Sequence, residues 1–267
     1  MALYVHGYQA REGERLHDQA STLADLLHAG TVYAEGNVVL EAGCAVGAQT
    51  VELASRSPAA RFVSVDLSAA SAALASRRAA DAGLGNVSCA AADIFALPFG
   101  PRAFDHVFVC FVLEHLARPT AALAELRGLL RPGGTITVIE GDHGSAYFHP
   151  DSAAARAAIS CQVALQAAAG GNALIGRELY PLLVKAGFAG VEVQPRQVYV
   201  DGSRPALLDG FTRKTFTAMI EGTRAAAIDA GLSTAAAFDA GIADLYRTAA
   251  SDGTFCYTFF KATARNA

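Results

Sequence analysis

The chain has 267 residues, 52% of them hydrophobic and only 17% charged, a balance that specifies a packed globular protein and excludes a disordered one. Twenty-one basic residues against 25 acidic ones give a net charge of −4, and no dense basic run marks a nucleic-acid surface. The five cysteines (Cys44, Cys89, Cys110, Cys161 and Cys256) form no C-x-x-C pair and read as buried reduced thiols. The opening MALYVHGYQAREGERLHDQA has no apolar signal core, and apolar runs such as Val107–Leu113 are too short to span a bilayer. The expectation is a cytoplasmic protein with no membrane partner.

Residues 11–29 read as a helix with Leu16, Leu23 and Leu27 on one face and Arg11, Arg15 and Gln19 on another. Strand and helix then alternate. Strands are expected at 37–43, 61–67, 86–93, 104–113 and 134–141, with helices at 48–55, 68–82 and 120–130 between them. Near-continuous apolar runs such as FDHVFVCFVL suit strands buried on both faces. The tail departs from the pattern. Strands at 190–200 and 254–264 are separated by about 50 mostly helical residues, a connection too long to lack a function.

The fold class that follows is α/β, a Rossmann-like doubly wound sheet of seven strands, mostly parallel, with one antiparallel edge pair and a helical lid insertion. A single domain is expected: a helical cap over 1–35, a core over 36–200, the lid over 201–252 and the last strand over 253–267.

Ligands of open α/β sheets bind at the carboxyl ends of the strands, where the first strand here leads into Glu41-Ala-Gly-Cys-Ala-Val-Gly-Ala48. The dinucleotide pattern G-x-G-x-x-G would need glycine at the positions held by Gly43, Ala45 and Ala48, and there is no Walker lysine. Glu41–Ala48 resembles the first motif of class I S-adenosylmethionine methyltransferases, E/D-x-G-x-G-x-G, with Ala45 in place of the middle glycine. Asp66 ends the second strand about 20 residues on, where a carboxylate accepts ribose hydroxyls, with Ser68 available to cap the next helix. Asp93 ends the third strand ahead of Ile94 and Phe95, and Val112-Leu-Glu-His-Leu116 and Leu129-Leu-Arg-Pro-Gly-Gly134 resemble the same family.

The resemblance implies S-adenosyl-L-methionine as cofactor and no metal. It implies a cofactor site of Glu41, Gly43, Cys44 and Gly47 in the loop, Asp66 and Leu67 at the ribose, Asp93 and Ile94 at the adenine, and Cys110 at the end of the fourth strand. Arg15 and Gln19 are the candidates for the methionine carboxylate, because similar methyltransferases use a polar face of the N-terminal helix there.

Acceptor-facing side chains are expected from three segments: Tyr4, His6 and Tyr8; Glu114 and His115; and Asp142, His143, Tyr147, Phe148 and His149. Four of the seven histidines fall in these loops, and histidine exchanges a proton near neutral pH. His143 is the expected proton acceptor or substrate orienter, with Tyr8 and His6 closing over the acceptor and Glu114, Tyr147 and His149 touching it. A lid of this size suits a small enclosed acceptor, and the aromatic content points to an aromatic or heteroaromatic one. The chain also resembles small-molecule methyltransferases of bacterial secondary metabolism, including those that methylate indole carbon. Rival readings are an RNA or protein methyltransferase, a nicotinamide-dependent oxidoreductase, and a cofactor-binding protein without catalysis. A homodimer is left open.

Overall fold

The computed structural model describes residues 22–267. Residues 22–28 form helix α1, followed by β1 (Val38–Ala42), α2 (Ala48–Arg56), β2 (Arg61–Asp66), α3 (Ala69–Asp81), β3 (Val87–Ala91) and β4 (Phe104–Cys110). Then come α4 (Pro119–Leu129), β5 (Leu130–Gly141), β6 (Tyr147–His149), α5 (Ala153–Ala168), α6 (Leu179–Lys185) and β7 (Ala189–Val200). The lid holds α7, which runs through Pro205–Leu207, a π-helical stretch Leu208–Thr217, and Ala218–Gly222. Helices α8 (Arg224–Asp229) and α9 (Ala235–Arg247) complete it, and β8 (Thr254–Arg265) ends the fold.

Strands β3, β2, β1, β4 and β5 lie side by side in that order and parallel, and β8 pairs antiparallel with β5 and, on its other edge, with β7. The strand order reverses between β1 and β4, so the crevice at their carboxyl ends is where the sheet accepts a ligand. Among the described residues the sheet has eight strands where seven were expected. The extra one, β6, continues past the end of β5 and pairs with Thr254–Cys256 of β8. Alternating Tyr147, Phe148 and His149 can join a ladder because β8 outruns β5 and leaves its first residues in need of partners.

The sheet is buried on both faces. Leu40, Val107, Val109, Ile136 and Val138 pack with α4 and α6, whereas Val39, Phe62, Phe108 and Ile139 face α1, α2 and the lid. Two-sided burial explains the unbroken apolar runs of β1 and β4. At its amino-terminal half β8 turns Phe255, Tyr257 and Phe259 toward Phe211 and Phe216 of α7, with ring centroids 4.8–6.0 Å apart. The lid is therefore fixed over the carboxyl ends of β4 and β5. In the π-helical stretch Thr215 Oγ1 donates to Gly210 O, five residues back, at 2.7 Å. Gly210 sits against Thr22, where a Cβ would meet Oγ1 at 2.3 Å.

The expected strand at 104–113 stops at Cys110, because Phe111 takes a left-handed φ of 57° and Leu113–His115 form one tight helical turn. Helices α5 and α6 lie in a segment for which no element was read from the sequence. No helix among the described residues is long and apolar enough to cross a membrane.

Candidate active site

The glycine loop is suspended from β2. The amides of Gly43 and Cys44 both donate to Val65 O, at 2.8 and 2.9 Å. Gly43, Ala45 and Gly47 all have positive φ (85°, 45° and 81°), so the loop bends where only glycine is unstrained, and Ala45 is held there against its preference. A Cβ on Gly47 would meet the backbone of Ala75 at 2.7 Å, which lets α2 and α3 approach closely. Gly47 precedes α2 without a side-chain cap, so the first turn keeps amides for a ligand.

Asp66 locks this loop. Its Oδ2 accepts from the Ala45 amide and its Oδ1 from the Ser68 amide, each at 2.9 Å. Ser68, as expected, caps α3 by accepting from Ser71 N. Asp66 therefore has a fixed orientation while its remaining lone pairs stay available for hydroxyl donors. Beside it Leu67 is 53% exposed, an apolar platform at the strand end. Asp93 is exposed at the end of β3, with Oδ1 accepting from Phe95 N at 2.9 Å, and Arg118 stacks on the Phe95 ring. Ile94 is half-buried next to it.

Glu41, Cys44 and Cys110 face inward instead. Glu41 is 2% exposed and accepts from Thr50 Oγ1 and Ser64 Oγ at 2.6 and 2.7 Å, so it ties α2 and β2 to the base of the loop. Burial raises its pKa, and the two hydroxyls oppose that shift. Both thiols are buried, and burial pushes their pKa values up. Their positions offer a ligand backbone at most.

Opposite the loop stands the turn after β4. A Cβ on Gly43 would lie 2.3 Å from Val112 Cγ2, so the two turns touch. The amides of Val112 and Leu113 donate to Glu140 Oε1 at 2.9 and 2.7 Å, so the end of β5 holds the turn and presents Glu114. Glu140 is fully buried, its Oε2 has no hydrogen-bond partner among the described residues, and burial followed by Glu114 raises its pKa well above the carboxylate range.

Glu114 is the centre of a buried polar row. Its Oε2 accepts from Gln166 Nε2 at 3.0 Å and lies 3.8 Å from His143 Nε2, and its Oε1 lies 3.6 Å from His115 Nε2. His143 Nδ1 lies 2.8 Å from Tyr257 Oη. The turn that carries His143 is rigid. Asp142 caps it by accepting from Gly144 N and takes a two-pronged ion pair from Arg177 at 2.7–2.8 Å, while Ser145 Oγ accepts from Thr258 N.

The structure thus brings together Gly43, Gly47, Asp66 and Leu67 on one side of the crevice, and Glu114 and His143 on the other. Tyr147 and His149 stand apart from that group. Phe148 between them stacks on Phe255 under the lid, so strand alternation turns its two neighbours to the opposite face, where Tyr147 is exposed and bonds Gln197. His6, Tyr8, Arg15 and Gln19 lie outside the described residues. Tyr257, Glu140, Gln162 and Gln166 were not read as site residues. The glutamines could have been found: Gln162 and Gln166, four apart in the Ala-rich run AAARAAISCQVALQAA, place two amides on one face of a helix.

The chain matches the methyltransferase-domain family over residues 39–134. It is 34% identical over 193 residues to an uncharacterised 37.1 kDa protein in a transposon of Streptomyces fradiae, covering 70% of this chain and 54% of that one. It is 36% identical over 102 residues to the demethylmenaquinone methyltransferase of Thermus thermophilus, covering 38% and 46%. The chain spans about half the length of these relatives. Among solved structures it superposes on the (4+2) cyclase SpnF with a TM-score of 0.59 at 22% identity, covering 92% of this chain and 82% of that one. On geranyl diphosphate C-methyltransferase of Streptomyces coelicolor the TM-score is 0.53 at 19% identity, covering 93% and 78%.

Proposed function

Because the chain belongs to the class I S-adenosylmethionine-dependent methyltransferases, we propose that it transfers a methyl group to a small aromatic or heteroaromatic acceptor held between the glycine loop and the lid. The observation that carries the reading is the left-handed loop Gly43–Gly47, its Ala45 amide pinned to Asp66 Oδ2. That cradle admits close backbone approach and leaves Asp66, Leu67 and Asp93 in line along three strand ends, which suits a methionine, ribose and adenine in that order.

S-adenosyl-L-methionine, when bound, supplies a methyl group already activated for in-line displacement. The chain has to bind, orient and desolvate. Asp66 accepts the ribose hydroxyls, Asp93 the adenine amino group, and Leu67 and Ile94 cover the ring. His143 and Glu114 face the acceptor. Burial raises the pKa of the Tyr257 phenol, with Glu114 and Asp142 adding to the effect, so the phenol is the donor to His143 Nδ1 in this reading and the ring proton is assigned to Nε2, toward Glu114. His143 therefore acts as the orienter, and the proton an acceptor must lose passes to the Glu114 carboxylate. Phe216 of the lid beside His143, with Phe211 packed behind it, favours a small aromatic acceptor; an indole carbon is one such nucleophile.

Calorimetric titration with S-adenosylhomocysteine and with NADH tests the reading. We expect binding of the former only, weakened at least about tenfold by D66A. Binding of NADH alone would sink it. Turnover of labelled cofactor with an aromatic panel, lost in H143A, tests the acceptor half.

A further inference from the structure

Ala45 lies in a tight turn, Cys44–Gly47, closed by the Gly47 amide donating to Cys44 O at 2.8 Å. Its φ of 45° is one that glycine adopts freely and alanine resists. A non-glycine residue persists there only where its surroundings over-determine it. They do so through a strip of hydrogen bonds that crosses the turn. Arg78 Nη1 donates to Val46 O at 3.1 Å, and the N–H of that same peptide group is the Gly47 amide that donates to Cys44 O. The N–H of the Cys44 peptide group belongs to Ala45, and it donates to Asp66 Oδ2 at 2.9 Å. Two planar peptide groups thus stand in series between a guanidinium and a carboxylate.

Each end of the strip meets the charge that suits it. A cation faces the carbonyl end and an anion the N–H end, so both peptide dipoles lie with the field and the bonds strengthen one another. Helix α3 delivers the guanidinium, and it is pressed onto the loop: a Cβ on Gly47 would meet the Ala75 backbone at 2.7 Å. Arg78 follows Ala75 by three residues, so the two are neighbours on one side of the helix. Arg78 is half-buried and makes no ion pair among the described residues that would compete for its guanidinium. Asp66, by contrast, serves Ser68 N as well as the loop.

We propose that Arg78 is a positioning residue for the cofactor, holding the Gly43–Gly47 loop in its ligand-ready shape and compensating for alanine at position 45. The inference rests on the methyltransferase reading for the identity of the ligand, while the strip is defined by this chain's own hydrogen bonds. Arg78 acts through the Val46–Gly47 peptide and not by touching the cofactor. Without it the turn is free to relax away from positive φ at Ala45, and the fraction of protein ready to bind falls. With glycine at position 45 the same shape carries no strain, and Arg78 becomes dispensable.

The test is calorimetric titration of the full chain with S-adenosylhomocysteine, in wild type, R78M, R78K, A45G and the R78M/A45G double variant. R78M keeps the aliphatic stem and removes every donor. It should weaken binding at least about tenfold, whereas R78K should stay within about threefold of wild type. Added to A45G, R78M should change the affinity by less than about threefold, because the two sites are coupled. Unchanged affinity in R78M would overturn the proposal. So would an equal loss with and without A45G, the result a purely structural role on α3 predicts. Should R78M not fold, nitrogen NMR of the Arg78 side chain in wild-type protein decides: hindered rotation of its Nη groups supports the clamp, and free rotation overturns it. Failure of the wild type to bind S-adenosylhomocysteine at all would instead strike the methyltransferase reading, so the two failures are distinct.

Discussion

Tyr257 Oη lies 2.8 Å from His143 Nδ1, and the same oxygen is so close to the backbone of Gly141 that a Cβ there would sit 2.3 Å from it. The end of β5 and the middle of β8 therefore hold a phenol against one nitrogen of one imidazole, and as a donor it selects the Nε2–H tautomer. In Y257F the donor is gone and the ring is free to move its proton to Nδ1. We expect nitrogen NMR of His143 to report the Nε2–H form in the wild type and a mixture in Y257F, with about 1 kcal/mol of stability lost. An unchanged His143 signal in Y257F would remove Tyr257 from the site.

Ala45 should be a place to gain stability. At φ 45° its Cβ crowds the following carbonyl, a cost of roughly 1–2 kcal/mol that glycine avoids, offset in part by glycine's freer unfolded chain. A45G is expected to stabilise the protein by about 0.5–1 kcal/mol in denaturant melts, with cofactor-product affinity kept or improved. Destabilisation would mean that the methyl group packs usefully.

Glu140 separates charge from shape. Its Oε1 holds two backbone amides, while burial and then Glu114 raise its pKa, a shift toward the neutral acid. E140Q keeps the acceptor oxygen and the neutrality, so its stability should stay within about 1 kcal/mol of wild type. E140A strands both buried amides and should lose roughly 2–4 kcal/mol. Equal damage from the two substitutions in chemical denaturation would argue that the group is ionised.

Lys261 gives a pH dependence. It is buried on β8, where its amine donates to Ala29 O at 2.8 Å and to Thr31 Oγ1 at 2.5 Å, and burial and then Arg196 lower its pKa from 10.5 to about 8. Between those two values the unfolded chain binds a proton that the folded chain has released, so this group makes stability rise with pH. The unfolding free energy of wild type minus that of K261M should therefore increase by about 2 kcal/mol from pH 7.5 to 10. A flat difference would show the amine to be solvated.

The alternation of strands and helices, the glycine loop and the carboxylates at the next two strand ends were legible in the chain because each is a local pattern. Buried parallel strands must be apolar on both faces, and a loop that bends at Gly43 and Gly47 needs residues that tolerate positive φ. The short strand β6 was not legible, since three alternating residues become a strand only where β8 offers an unpaired edge.

The sequence by itself determined the alternation of strands and helices and the glycine loop with its carboxylates at the next two strand ends, because residues within one β–loop–α unit meet through backbone geometry alone. The buried polar row around Glu114 was decided by the tertiary structure. Glu114, Glu140, His143, Gln166 and Tyr257 come from four separate segments, and only the insertion of β8 beside β5, with α5 laid across the turn after β4, brings their polar atoms within reach. Removing Tyr147 and His149 from that group is equally tertiary: strand pairing sets which face each side chain occupies, and a run of polar and aromatic residues looks the same on either.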